Sequence, residues 1–285
     1  MSFERIGVVG GGQMGGGIAE ICARAGQDVI VREADEALAQ RSQQGIEKSL
    51  SKAVERRKVS EDERDAALGR LRFVTDLDAM ADRQLVVEAV TENEDLKRDL
   101  FTRLDEIVAD KGAILASNTS SIPITRIAKA TQRPESVVGM HFFNPATVMP
   151  LVEIVRSVLS SDDSIERAAS FATDVLGKTV VHAKDRAGFI VNMLLVPYII
   201  DAMRMYEEGF ASKEDIDAGM VNGAGYPMGP LTLSDLIGND TMLFVAESLF
   251  EEFREARYAP PPLLKRMVEA GLLGRKTGLG FYDYS

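Results

Sequence analysis

Ten residues near the start of this chain constrain its fold more than any others. Ile6-Gly-Val-Val9 is a short β-rich run, Gly10-Gly-Gly12-Gln13-Met14-Gly15 follows, and a helical pattern runs from Gly16 to Ala25. Strand, G-x-G-x-x-G and helix in that order open a βαβ unit that binds a dinucleotide. Gly10 permits the tight turn, Gly12 admits a pyrophosphate to the backbone, and Gly15 lets helix and strand pack closely. The helix N-terminus adds N–H donors and a positive dipole end for the phosphates. Gly26-Gln27 breaks the helix, and Val29-Ile-Val31 reads as the second strand. Glu33, eighteen residues beyond Gly15, is placed to accept hydrogen bonds from ribose hydroxyls and to repel a 2′-phosphate. NAD is therefore favoured over NADP, against one contrary signal: Arg32, beside it, is a residue type that pairs with such a phosphate. The plain alternative is a doubly wound domain that holds no nucleotide.

A chain of 285 residues suits one large domain or two smaller ones and can bury a full core. Its net charge of −11 argues against nucleic acid or an anionic membrane as partner. The single cysteine, Cys22, excludes an internal disulfide and suits a reducing compartment. Its apolar neighbours make it a packed thiol rather than a reactive one. No basic and apolar leader precedes the first strand. The longest apolar segment, Phe189 to Met203, is interrupted by Asn192, Pro197 and Asp201, too short and broken to cross a membrane. A soluble, cytoplasmic protein is expected, with no metal site.

From Asp35 to about residue 70 the pattern is a helical insertion, two helices broken near Val59-Ser60. Lys48, Lys52 and Arg56 recur every four residues and share one helix face. Spacing alone suits a solvated face as well as a cradle for an anionic substrate group. Leu85 to Val90 is β-rich and ends at Thr91-Glu92-Asn93; a helix carrying Lys97 follows, then the strand Ala113 to Ala116. That strand ends in Ser117-Asn-Thr-Ser-Ser121, at the edge where open parallel sheets bind ligands. Those hydroxyls suit a substrate oxygen, while Ser121 also fits an N-cap for the helix starting near Pro123.

His141 lies in the β-type run Val137 to Phe143, Pro145 and Pro150 force a turn, and the returning run Leu151 to Val155 carries Glu153. Strand, turn and strand place an imidazole beside a carboxylate, an arrangement that makes a proton acceptor or simply a satisfied buried histidine. A helix from Asp163 to Leu176 and a last strand, Thr179 to Val181, follow; His182 lies beyond it and reads as structural. From residue 185 the strands stop and helical periodicity takes over. Asn192 sits in an apolar helix start, where a buried amide needs a partner. The glycine-rich tail Gly274 to Tyr282 is suited to closing back over a ligand. The expected architecture is α/β, a Rossmann-type doubly wound, mainly parallel sheet over residues 1–184 with a helical insertion, then an all-α domain over 185–285.

Taken together and in order, the Gly10–Gly15 loop, Ser117–Ser121, His141-Phe-Phe-Asn-Pro145, Gly188-Phe-Ile-Val-Asn192, Gly225-Tyr-Pro-Met-Gly-Pro230 and Lys276-Thr-Gly-Leu-Gly-Phe-Tyr282 resemble the stand-alone (S)-3-hydroxyacyl-CoA dehydrogenases. The bacterial 3-hydroxybutyryl-CoA dehydrogenases are included, and the resemblance spans essentially the whole chain. It implies NAD-dependent oxidation of 3-hydroxyacyl-CoA, or the reverse, with His141 as base and Glu153 as its orienting partner. It implies that Ser120 and Asn192 engage the substrate oxygen, and that the glycine loop with Gln13 and Met14, Glu33, Glu92, Lys97, Ser120, Asn144 and Lys276 binds NAD. Ser49, Lys52 and Arg56, with Ser120, match substrate-contacting positions, and a homodimer through the helical domain is the family's usual state. Three positions depart from the pattern: Glu33 where aspartate is common, Ala187 where proline is frequent, and Met193 where a basic residue is frequent. The first bears on NAD against NADP, the others on packing near the substrate. Two other readings are a dehydrogenase of this fold for a hydroxy acid without CoA, and a silent nucleotide-binding protein.

Overall fold

The computed structural model describes residues 3–285, which divide into two compact units, one running to Asp185 and the other Arg186–Ser285. In the first, β1 (Arg5–Val9), α1 (Gln13–Arg24), β2 (Asp28–Arg32), α2 (Glu36–Glu55), α3 (Glu61–Leu68) and β3 (Leu71–Val74) come first. Then come β4 (Leu85–Glu88), α4 (Glu94–Ile107), β5 (Ile114–Ser117), α5 (Ile124–Ala128), β6 (Val137–Phe142), β7 (Leu151–Arg156), α6 (Asp162–Ser170) and β8 (Thr179–Lys184). They build one eight-stranded sheet in the order β3-β2-β1-β4-β5-β6-β7-β8. All neighbours are parallel except β6 and β7, so β7 and β8 run against the rest.

The central strands are continuous apolar runs because both their faces are covered; every residue of β4, β5 and β6 is buried. Strand order reverses direction between β1 and β4, which opens a crevice at the carboxyl ends of those strands. α2 is an arm. Only Ala39, Ser42, Ile46 and Leu50 are buried along it, a single stripe at helical spacing. Asp35 caps its start by accepting from Leu38 N at 2.8 Å, and the Ser60–Glu63 capping box begins α3.

Three local expectations need correction, and one strand comes with no expectation at all. The strand β3 is not evident in the sequence: it has four residues, lies at the sheet edge, and pairs only with β2, Val29 to Leu71 onward. Ser121 does not cap α5; the Asp185 carboxylate takes Ile124 N and Thr125 N at 2.7 Å each, replacing a local cap with one from sixty residues away. His182 lies inside β8 rather than beyond it, exposed and level with Ile154. The helix expected to run to Leu176 keeps α geometry only to Ser170 and widens into a π turn over Phe171–Val175.

The second unit is helical: α7 (Val191–Glu207), α8 (Lys213–Ala218), α9 (Pro230–Ile237), α10 (Asn239–Phe253) and α11 (Pro262–Glu269). Ile199, Ile200, Met203, Leu231, Ala246, Leu249 and Leu264 form its core. The tail is bound to its own unit. Asp235, 1% exposed, accepts from Phe281 N and Tyr282 N at 2.9 Å each, and the Cβ of any residue replacing Gly280 would fall 2.0 Å from its carboxylate. A segment expected to fold over a ligand is thus a strap tied at its base. Asn192 is half-buried, not buried, one residue into α7.

Candidate active site

The glycine loop has the shape its sequence requires. Gly10 has φ +90°, a left-handed conformation that side chains rarely adopt, and a Cβ on Gly15 would fall 1.7 Å from the Gly10 carbonyl oxygen. Gly12 is different: a Cβ there would meet nothing within 4 Å. The space in front of Gly12 is where a pyrophosphate would lie, and the first turn of α1 has neither a capping side chain nor an acid to compete for its N–H groups. The residues therefore fit a dinucleotide. Gly12→Ala should leave the melting temperature within about 2 °C, because the free protein has room. NADH should bind about 100-fold more weakly, a loss of about 2.7 kcal/mol. Fluorescence titration with NADH checks this, and unchanged affinity would refute the assignment of that space.

Glu33 stands at the end of β2. Its Oε1 accepts from Gly11 N at 2.7 Å and from the Ser42 hydroxyl at 2.8 Å, so the acid is braced against the loop it serves. Ser42, on the buried stripe of α2, is not evident as a site residue from the sequence. The Arg32 side chain is directed to the Thr75 carbonyl oxygen, 3.0 Å from its Nε. A cavity of about 420 Å³ lies between the glycine loop, α2 and the segment after β6. Gln13, Glu33, Ser49 and Asn144 line it, whereas Met14 packs partly against the core. Lys48, Lys52 and Arg56 lie exposed along α2, and none has an ion-pair partner among the described residues.

At the carboxyl ends of β4 and β5 sits a buried charge network. Lys97 is 1% exposed, and its ammonium lies 2.5 Å from Glu88 Oε1 and 3.2 Å from Glu92 Oε2. Glu88, wholly buried, also accepts from Val90 N at 2.7 Å and from the Ser117 hydroxyl at 2.6 Å. The Glu92 Oε1 gathers the Thr119 hydroxyl, Ser120 N at 2.9 Å and the Ser121 hydroxyl at 3.0 Å. Burial works to raise the Glu92 pKa, but the Lys97 ammonium and these donors outweigh it and hold the carboxyl below its usual range. The outcome is a fixed polar loop. Ser120 is half-buried, its hydroxyl without a hydrogen-bond partner among the described residues. Lys97 and Glu92 thus work through this loop, and Glu88, which reads as mere strand in the sequence, is their anchor.

His141 and Glu153 face each other in the antiparallel ladder of β6 and β7, with Gly139 opposite Val155 and Phe142 opposite Val152 on either side. The imidazole Nδ1 lies 2.7 Å from Glu153 Oε2; His141 is 6% exposed and Glu153 is wholly buried. The contact suits the tautomer in which Nδ1–H donates to the carboxylate and Nε2 is the ring's acceptor nitrogen. The Phe143 ring packs against the imidazole with centroids 4.7 Å apart. Asn118 Oδ1 accepts from Phe142 N at 2.9 Å and fastens the serine loop to the histidine strand. In the helical unit, Lys276 is exposed and paired with Asp240.

Oxidising an alcohol requires a proton acceptor and a hydride acceptor, and one sheet edge of this unit offers a place for each; that is the design of a nicotinamide-dependent dehydrogenase. Residues 5–186 match the 3-hydroxyacyl-CoA dehydrogenase NAD binding domain, and residues 188–284 match that family's C-terminal domain. The chain belongs to the 3-hydroxyacyl-CoA dehydrogenase family. It is 56% identical over 283 residues, 99% of both chains, to 3-hydroxybutyryl-CoA dehydrogenase of Mycobacterium tuberculosis. The crystal structure of FadB2 from M. tuberculosis superposes with a TM-score of 0.99 at 55% identity, covering all of both chains. That of (S)-3-hydroxybutyryl-CoA dehydrogenase PaaH1 from Ralstonia eutropha gives 0.94 at 43% identity, again over both whole chains.

Proposed function

We propose that this chain catalyses the NAD-dependent interconversion of (S)-3-hydroxyacyl-CoA and 3-oxoacyl-CoA, the pair 3-hydroxybutyryl-CoA and acetoacetyl-CoA included. The observation that carries the reading is the His141–Glu153 pair, 2.7 Å apart, in the same sheet as the open glycine loop. Bound NAD supplies the hydride acceptor. His141 Nε2 takes the proton of the 3-hydroxyl, and the electrons of that O–H bond form the new carbonyl as hydride leaves C3. Glu153 keeps Nδ1–H in place and balances the imidazolium that forms. In the reducing direction the same nitrogen returns the proton.

Ser120 and Asn192 are donors to the substrate oxygen in this scheme, Ser120 held in place by Glu92 through its backbone N–H. Glu33 and Asn144 contact the cofactor, Lys276 is a further contact, and Ser49, Lys52 and Arg56 meet the CoA. A homodimer through the helical unit is supported by large apolar side chains exposed there, Leu194 at 67% and Phe210 at 78%. No helix among the described residues is long and apolar enough to cross a membrane. The single cysteine, buried in α1, supports a reducing compartment such as the cytoplasm.

Loss of NADH absorbance with acetoacetyl-CoA tests the reading. Turnover is expected with the thioester and not with free acetoacetate. The opposite pattern would favour a substrate without CoA, and no turnover on either would point to a silent nucleotide-binding protein.

A further inference from the structure

A second cavity of about 300 Å³ in the first unit shares Thr147 with the first. It is bounded by the last turn of α1, the connection between α2 and α3, and the residues before β8. Three cations line it: Arg24, Lys58 and Lys178. The Lys178 ammonium donates to the carbonyl oxygens of Ala146 at 2.6 Å and Met149 at 2.8 Å, which fixes its position without cancelling its charge. Neither Lys58 nor Lys178 has an ion-pair partner among the described residues. Arg24 lies 3.7 Å from Glu20, a buried acid one helical turn back. Glu63 also lines the cavity, but its Oε2 accepts from Ser60 N in the cap of α3.

Three cations against the single lining acid Glu63 leave the cavity with net positive charge. Burial and, after it, the charge of Arg24 hold Lys178 below the usual lysine range. The exposed stripe of α2 ends at Arg56, two residues before Lys58, so positive potential continues from the helix into the cavity on a chain of net charge −11. The glycine loop already provides for the dinucleotide's pyrophosphate.

We propose that the Arg24–Lys58–Lys178 cavity receives the phosphates at the nucleotide end of the CoA thioester and makes the protein select CoA over shorter thioesters. The proposal rests on the acyl-CoA activity above. Arg24 and Lys58, both at the surface, are the pairing groups, and Lys178 sets the floor.

The test compares acetoacetyl-CoA, acetoacetyl-dephospho-CoA and acetoacetyl-pantetheine with the full-length protein and the double variant Arg24→Ala, Lys58→Ala. The double variant should raise KM for acetoacetyl-CoA about tenfold, the equivalent of about 1.4 kcal/mol, keep kcat, and leave KM for the pantetheine thioester unchanged. Arg24→Lys with Lys58→Arg should restore most of the affinity. If the variant loses the preference for CoA over dephospho-CoA, the 3′-phosphate is the occupant; if it keeps that preference while both weaken, the pyrophosphate is. A CoA-to-pantetheine KM ratio equal to that of the unaltered protein overturns the inference. The unaltered protein separates this failure from a deeper one, since no reduction of acetoacetyl-CoA by it would overturn the activity and this pocket assignment together.

Discussion

His141→Gln should lower kcat by about 10³- to 10⁴-fold while NADH still binds with its original affinity, the usual loss when a positioned base is removed. Glutamine fills much of the imidazole's volume and can still meet Glu153, so the β6–β7 ladder should persist. What it lacks is a nitrogen that accepts a proton near neutral pH. Stopped-flow mixing with acetoacetyl-CoA measures the rate, and the change in NADH's own fluorescence on titration measures the binding, since the chain has no tryptophan. Activity within tenfold of the original would remove His141 from the mechanism.

Glu153→Gln should cost about 10²- to 10³-fold in kcat, again with NADH affinity intact. An amide oxygen can accept from Nδ1–H, but the amide can also turn its NH₂ toward the ring and select the wrong tautomer. It also carries no charge to balance an imidazolium in a wholly buried place. Glu153→Asp keeps the charge but shortens the reach of a contact now 2.7 Å long, and should fall between the two. Steady-state rates for the three forms give the order; equal rates for Gln and Glu would mean that the carboxylate serves the fold alone.

Much of the first unit is legible in its residues because buried parallel strands are uninterrupted apolar runs. β1, β4 and β5 announce themselves, and the glycine spacing gives the loop between β1 and α1. β3 does not, since an edge strand of only four residues, none of them fully buried, is too short a run to stand out. The pairing of His141 with Glu153 follows from two β runs and two prolines. Its register, which makes the pair face to face, is a property of the ladder. Glu88 is hidden for another reason: a charged residue at the end of an apolar strand looks tolerated until Lys97, nine residues on in the first turn of α4, is found beside it. Contacts across long separations are the least legible of all. Asp185 capping α5 and Asp235 holding the tail depend on tertiary approach, and nothing in their neighbours signals it.

The hairpin that carries His141 and Glu153 divides its labour. The backbone ladder sets His141 opposite Glu153, and of the eight residues 143–150 that join the two strands the first, Phe143, packs its ring against the imidazole. Four of them, Asn144 to Thr147, instead line the cavity beside the glycine loop. Replacements from Asn144 to Thr147 therefore act on that cavity, while the register of the His141–Glu153 pair stays with the ladder. One hairpin thus serves two ends: its paired strands hold two side chains face to face, and its turn shapes a wall that belongs to a different part of the unit.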